Sequence, residues 1–213
     1  MEYIELNTWK RKEHFDFFYN TDYAQYNICA NIDVTRFLKF VREKELSFYY
    51  AMIYASTHAA NEIINFRYRI REDKVVLHES IHPSFTDLSN KQDDLFKIVT
   101  VDLKLDIFEF VQYAKDKSQS QTEYFPLNQI AGRDDLVYIT CIPWVSFTHI
   151  SHTFSLNKND SVPRISWGKY FIENDKVLLP FSVQVNHALV DGVHVGEYFT
   201  KLQKRIDNIY QEL

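Results

Sequence analysis

Residues 177–199, VLLPFSVQVNHALVDGVHVGEYF, constrain the fold more than any other part of the chain. The first ten are mainly apolar and β-prone, which predicts a strand over residues 177–186. From Val195 onward apolar side chains recur every three or four positions, which predicts an amphipathic helix. His187 and Asp191 lie between the two patterns. The sequence therefore places a histidine at a turn that joins a strand to a helix.

A histidine in such a turn suits proton transfer, because a free imidazole titrates near neutral pH and can accept the proton of a substrate hydroxyl. One alternative is a structural histidine followed by an ordinary Asp-Gly turn. Another is a metal site, because His187, Asp191 and His194 would share one face of a continuous helix. Gly192 and the strand pattern before His187 argue against that helix. The sequence thus favours a site without a metal.

Helix and strand patterns alternate along the rest of the chain. Helices are predicted over residues 11–19, after Asp33, from Ser47 to about Ile64, and after Asp106. Strands are predicted over residues 26–32, 67–70, 75–79, 95–103, 136–142 and 165–172. This order predicts an α/β (α+β) fold in which helices pack on a mixed β-sheet.

The composition indicates one globular domain over residues 1–213. Hydrophobic residues make up 46% of the chain and aromatic residues 16%, which is enough for one large core. The 24 Lys and Arg against 29 Asp and Glu give a net charge of −5, and no basic cluster favours a nucleic-acid partner. Four glycines and five prolines leave little material for linkers.

The amino-terminal residues MEYIEL carry neither a basic leader nor an apolar run of signal-peptide length. No later window is long and apolar enough to span a bilayer, so we expect a cytoplasmic protein without a membrane partner. Cys29 and Cys141 stand in apolar, strand-like surroundings, where a free thiol usually acts as a small core residue. No disulfide is expected.

A series of short motifs resembles the chloramphenicol acetyltransferases of the trimeric, CoA-dependent type. The motifs are WKRKEHF at 9–15, FY at 48–49, FR at 66–67, YFP at 124–126, PWVSF at 143–147, GKY at 168–170 and QVNH at 184–187. Their order and separations extend over nearly the whole chain. The resemblance implies a single acetyltransferase domain with a CoA-dependent acyltransferase-like fold. It also implies a homotrimer with sites between subunits, and acetyl-CoA as a co-substrate instead of a permanently bound cofactor.

The resemblance implies a role for each matching polar residue. His187 would be the general base for direct transfer of an acetyl group to a hydroxyl of chloramphenicol. Thr140 falls where the family has the serine that bonds the oxyanion, and Ser166 falls where it has a threonine that holds a nearby water. Asp191 would form a buried bidentate ion pair with Arg11 of the amino-terminal motif.

Substrate contacts are implied in the same way. The acceptor-binding candidates are Phe17, Phe18, Phe125, Ile150 and His152, and the CoA-binding candidates are Tyr49, Lys169 and Tyr170. Ile150 and His152 stand where the family has largely Phe, Asn, Leu and Val around the antibiotic. We therefore expect a reshaped acceptor pocket.

Other hypotheses are compatible with parts of this pattern. A transferase of the same fold acting on a different hydroxyl or amine would keep all of the polar residues. A non-catalytic protein that sequesters an aromatic ligand would keep the phenylalanines but would not need His187 or Thr140. A dihydrolipoyl acyltransferase domain shares the histidine and Asp-Gly spacing, but that class carries a lipoyl module and a flexible linker, for which this sequence has no pattern.

Overall fold

A computed structural model describes residues 1–88, 94–104, 106–153 and 156–211. The helices are α1 (Lys12–Tyr19), α2 (Thr35–Glu43), α3 (Phe48–Asn61), α4 (Ile107–Ser120), α5 (Leu127–Ile130) and α6 (Gly192–Asp207). The strands are β1 (Glu2–Tyr3), β2 (Gln25–Asp33), β3 (Tyr68–Arg71), β4 (Lys74–Leu77), β5 (His82–Leu88), β6 (Phe96–Thr100), β7 (Leu136–Cys141), β8 (Arg164–Trp167), β9 (Phe171–Glu173) and β10 (Lys176–Asn186).

The larger of two sheets is mixed. Within the described ranges it has seven strands in the order β2-β10-β8-β7-β5-β6, and β9 pairs with β10. Strand β7 runs parallel to both of its neighbours, while the other pairs are antiparallel. Helix α3 packs on β5 and β7, and α6 packs on β2. The predicted fold class, helices on a mixed sheet, is confirmed.

The two faces of this sheet differ in chemistry. Successive strand residues point to opposite faces, so Phe181 and Trp167 lie in the apolar core, whereas Ser182 and Ser166 lie on the other face. That polar face is also buried, since both serines are 0% exposed and Gln184 is 1% exposed. The described parts of the segment between β7 and β8 lie against it and donate or accept several of its hydrogen bonds. A buried polar face on the central strands is the feature that positions the candidate site.

Apart from shifts at the ends of elements, three strand assignments differ from the sequence predictions, and one of them is β1, which was not predicted. The single strand expected over residues 165–172 is wrong, because β8 ends at Trp167 and β9 begins at Phe171. At Gly168 the carbonyl oxygen of Val145 lies 2.5 Å from the position a Cβ would occupy, so the approaching backbone requires glycine there. Strand β5 was not predicted, although it lies between β6 and β7.

The strand-turn-helix unit predicted around His187 is confirmed, because β10 ends at Asn186 and α6 begins at Gly192. The cysteines Cys29 and Cys141 are free thiols, and burial raises the pKa of Cys141 to about 12. In the described part of the chain, no helix is both long and apolar enough to cross a membrane.

Candidate active site

The turn that carries His187 is held by hydrogen bonds on both sides. Asn186 accepts backbone N–H groups with its carbonyl oxygen, and its side-chain oxygen accepts the N–H of Ala188 at 2.9 Å. The N–H of His187 itself donates to the carbonyl of Ala24 at 2.8 Å. The buried side chain and carbonyl of Asn186 thus accept the backbone N–H groups of the turn. These bonds fix the backbone of the turn and therefore the direction of the His187 side chain.

The imidazole of His187 lies flat against an aromatic wall. Its ring stacks on Phe18 with 3.9 Å between centroids and an angle of 7°, and Tyr26 contacts it at 4.6 Å. The side chain is 33% exposed, so one edge of the ring remains open. Nδ1 is on the buried edge, 3.2 Å from Asp191 Oδ1, and forms no hydrogen bond with any described residue. The open edge therefore carries Nε2.

Arg11 ties the amino-terminal segment to this turn. It donates to Asp191 through two nitrogens, with 2.7 Å to Oδ1, and to the carbonyls of His187 and Ala188 at 2.8 Å each. The bond from Arg11 is the main reason that the pKa of Asp191 is lowered. The side chains are 11% and 28% exposed, so the pair expected from the resemblance is present but is partly open in a single chain.

His194 has a role that sequence reasoning missed. Its Nδ1 accepts the backbone N–H of Asp191 at 2.9 Å, which satisfies a donor at the start of α6. Burial lowers the pKa of His194 and favours the neutral ring that can accept this bond. Its position three residues after the N-cap was the available signal. In the described part of the chain, no cluster of three or more His, Cys, Asp or Glu is arranged to hold a metal ion.

Thr140 and Ser166 lie side by side on the polar face. Thr140 on β7 is paired with Ser166 on β8, and Ser166 is paired with Ser182 on β10. The Oγ of Ser166 lies 2.8 Å from Nε2 of His152. Burial, and then the neighbouring Arg164, lower the pKa of His152. Thr140 and Ser166, the two residues expected around the oxyanion, are therefore neighbours, and His152 contacts Ser166.

The same chain does not bring His187 close to Thr140. His187 lies five residues beyond Ser182, or about 16 Å along the strand, and Thr140 lies two strand spacings from Ser182, or about 10 Å across the sheet. These distances far exceed the span of one reacting bond. Within one chain the expected base and the expected oxyanion donor belong to two separate groups.

The phenylalanine candidates divide between these two groups. Phe17 packs edge-on against Phe18, beside His187, and is 68% exposed. Phe125 is 51% exposed and packs on Phe96 at the start of β6, on the Thr140 side of the sheet. The carbonyl of Ile150 accepts a hydrogen bond from the Asn27 amide on β2 at 2.5 Å, which anchors the segment that also carries His152. Both groups therefore present aromatic or apolar surface.

The CoA candidates lie in two different environments. The hydroxyl of Tyr49 donates to the carbonyl of Thr86, its ring packs on Trp167, and burial raises its pKa well above the usual value. Tyr49 therefore packs against the core of its own chain. Lys169 and Tyr170 are exposed at the turn between β8 and β9.

Comparison with known proteins places the chain among acetyltransferases. The family model described as chloramphenicol acetyltransferase matches residues 1–203. A chloramphenicol acetyltransferase of Klebsiella sp is 31% identical over 207 residues, which cover 96% of this chain and 93% of that protein. A solved chloramphenicol acetyltransferase superposes with a TM-score of 0.89 at 25% identity, over 96% of this chain and 99% of the other. A dihydrolipoamide acetyltransferase of Azotobacter vinelandii shares the fold, with a TM-score of 0.70 at 12% identity over 94% of this chain and 88% of the other.

Fold and relatives together define an enzyme that transfers an acetyl group. More narrowly, the chain belongs to the chloramphenicol acetyltransferase family.

Proposed function

We propose that this protein is an acetyl-CoA-dependent O-acetyltransferase that acetylates a hydroxyl of chloramphenicol. The observation that carries the proposal is the geometry of His187. Its ring is clamped against Phe18, its Nδ1 is buried beside a carboxylate, and its other edge is open. Because Nδ1 is buried, Nε2 is the ring nitrogen that can meet a substrate hydroxyl and accept its proton.

The proposed reaction is a direct transfer. Nε2 of His187 removes the proton of the acceptor hydroxyl while the hydroxyl oxygen attacks the thioester carbonyl carbon. The carbonyl oxygen becomes an oxyanion, which the Thr140 hydroxyl stabilises by donating a hydrogen bond. Collapse of the intermediate breaks the carbon–sulfur bond and releases CoA, whose sulfur takes up the proton. No covalent acyl-enzyme is required.

We further propose that each site is completed by a second copy of the chain in a homotrimer. The separation of His187 from Thr140 supports this arrangement, because one chain cannot offer both groups to a single thioester. The His187 group would come from one subunit with Phe17 and Phe18, and the Thr140 group from its neighbour with Phe125. The exposed Lys169 and Tyr170 are suitable for contacts with CoA, since a lysine ammonium can bind a phosphate.

A second candidate function is acetylation of a more polar hydroxyl or amine by the same residues. The hydrogen bond between His152 and Ser166 favours this second candidate. It introduces polar groups at a position where the family resemblance implies largely apolar residues around the acceptor. Specificity from a few altered pocket contacts is worth about 1–3 kcal/mol, which weakens an acceptor without excluding it.

Release of free thiol from acetyl-CoA, followed with a panel of hydroxylated and amine acceptors, tests the proposal. We expect thiol release that depends on chloramphenicol and yields an acetyl ester, and raised chloramphenicol resistance in a susceptible strain that expresses the protein. Brisk transfer to another acceptor with none to chloramphenicol would establish the second candidate. Absence of transfer to any acceptor would overturn both.

A further inference from the structure

The hydroxyl of Ser166 has an unusual partner. Ser166 is 0% exposed, so its hydroxyl must find its hydrogen bonds inside the protein. Its Oγ lies 2.8 Å from Nε2 of His152. The two residues come from different elements, since Ser166 is on β8 and His152 belongs to the segment before it. Nε2 of His152 is therefore within hydrogen-bond distance of the hydroxyl of Ser166, the strand neighbour of Thr140.

A hydrogen bond to β10 anchors the segment that carries His152. The backbone N–H of His152 donates to the side-chain oxygen of Gln184 at 3.3 Å, and Gln184 is 1% exposed on β10. The charged group that acts on the His152 ring is Arg164, two residues before Ser166 on β8, and Arg164 forms an ion pair with Asp160 at 2.7 Å. Burial and the charge of Arg164 lower the pKa of His152, which keeps the ring neutral at neutral pH.

We propose that His152 is a positioning residue: its Nε2–H donates to Ser166 Oγ and leaves the hydroxyl hydrogen of Ser166 free to point toward its strand neighbour Thr140, the proposed oxyanion donor. This inference rests on the proposed function. A serine hydroxyl has one hydrogen to donate and two acceptor lone pairs. When the imidazole supplies the hydrogen of the shared bond, the serine keeps its own hydrogen for the Thr140 hydroxyl, whose direction it then fixes. Without a donor at residue 152, the hydroxyl loses its fixed direction.

Two substitutions at residue 152 test this role. His152→Leu removes the donor and should lower kcat by about tenfold, less than the 10²–10³-fold of a direct oxyanion donor because the effect is indirect. His152→Gln keeps an N–H near the position of Nε2 and should restore most of kcat. The KM for acetyl-CoA should change by no more than about twofold in either variant, because the bond acts mainly in the transition state.

Two controls separate positioning from structure. His149→Leu makes the same change at an exposed histidine of the same segment and should leave kcat unaltered. In a Ser166→Ala background, His152→Leu should cause no further loss, because the two residues act as one unit. Thermal unfolding of each variant identifies any that fail to fold, and the glutamine variant then decides the question.

Several outcomes would overturn the inference. An unchanged kcat in His152→Leu, a change confined to the KM of the acceptor, equal losses in the leucine and glutamine variants, or additive losses with Ser166→Ala would each do so. A wild-type protein without acetyl transfer would refute the proposed function instead, so the two failures are distinguishable.

Discussion

Removing the charge of Asp191 should destabilise the protein through Arg11. Asp191→Asn leaves a guanidinium that still donates to the carbonyls of His187 and Ala188 but has lost its anion. Arg11→Ala removes all of these bonds at once. The two residues lie 180 positions apart in sequence, so their ion pair connects the amino-terminal segment to the turn that carries the proposed base.

The expected cost follows from the exposure of the pair. Breaking a fully buried ion pair costs about 3–5 kcal/mol and an exposed one about 0–1 kcal/mol. With side chains 11% and 28% exposed, we expect about 2 kcal/mol for Asp191→Asn. Arg11→Ala should cost about 3–4 kcal/mol, because it also removes two carbonyl bonds worth about 1 kcal/mol each. The double variant should cost little more than Arg11→Ala, which gives a coupling of about 1.5–2 kcal/mol.

The effect should depend on pH with a definite sign. Because Arg11 lowers the pKa of Asp191 in the folded protein, the carboxylate contributes stability above its unfolded pKa of about 3.9. That contribution is lost as the pH falls through the lowered native value. The difference in unfolding free energy between wild type and Asp191→Asn should thus be full at pH 7 and shrink below about pH 4.

Urea unfolding at fixed protein concentration measures both the double-mutant cycle and its pH dependence, since the stability of the proposed homotrimer would depend on concentration. Lys12→Ala is a matched control, because Lys12 pairs with Asp16 on the same helix with side chains 41% and 48% exposed. It should cost no more than about 1 kcal/mol. Additive losses for Arg11 and Asp191 would refute the reasoning and show that the two residues are not coupled.

Five further substitutions, at four positions, have expected outcomes. His187→Ala should lower kcat by about 10²–10⁴-fold with an unchanged elution volume on size-exclusion chromatography, because the lost group is the proposed base; near wild-type turnover would remove His187 from the proposed mechanism. Thr140→Val should lower kcat by about 10²-fold with little change in the KM for acetyl-CoA, while Thr140→Ser should be tolerated; an unchanged valine variant would make Thr140 a packing residue. Gly168→Ala should destabilise the protein by roughly 1–3 kcal/mol, because the new Cβ would meet the Val145 carbonyl oxygen. Gly196→Ala should stabilise α6 slightly, because no atom lies within 4 Å of its Cβ position. Similar shifts of the two variants in thermal melts would contradict the contact at Gly168.

The local parts of the site were predictable from sequence. A strand of apolar residues followed by helical periodicity places His187 at a turn without any tertiary information, and the structure has that turn. Such patterns are local because each reflects which side of one element is buried. Strand β5 escaped prediction because Pro83 lies inside it and because Asp87 stands where the apolar alternation of Pro83 and Phe85 would continue. It is buried only through its neighbours in the sheet.

Contacts between distant segments were not predictable from periodicity. Nothing in the residues around His152 indicates that its ring reaches Ser166, because the segment between β7 and β8 has no regular repeat. The separation of His187 from Thr140 likewise depends on the strand order β10-β8-β7, which sequence spacing does not determine. Strand order is fixed by packing across the whole sheet.

Mixed oligomers test the central claim most directly, namely that His187 of one subunit and Thr140 of another form each site. His187→Ala and Thr140→Val chains, unfolded together in equal amounts and refolded, should recover about one quarter of wild-type turnover. In a cyclic oligomer, random mixing leaves both groups intact at about one interface in four. Each variant refolded alone should stay at its low residual rate. If the mixture has only the mean activity of the two variants, the two groups do not act across an interface, and the account is contradicted.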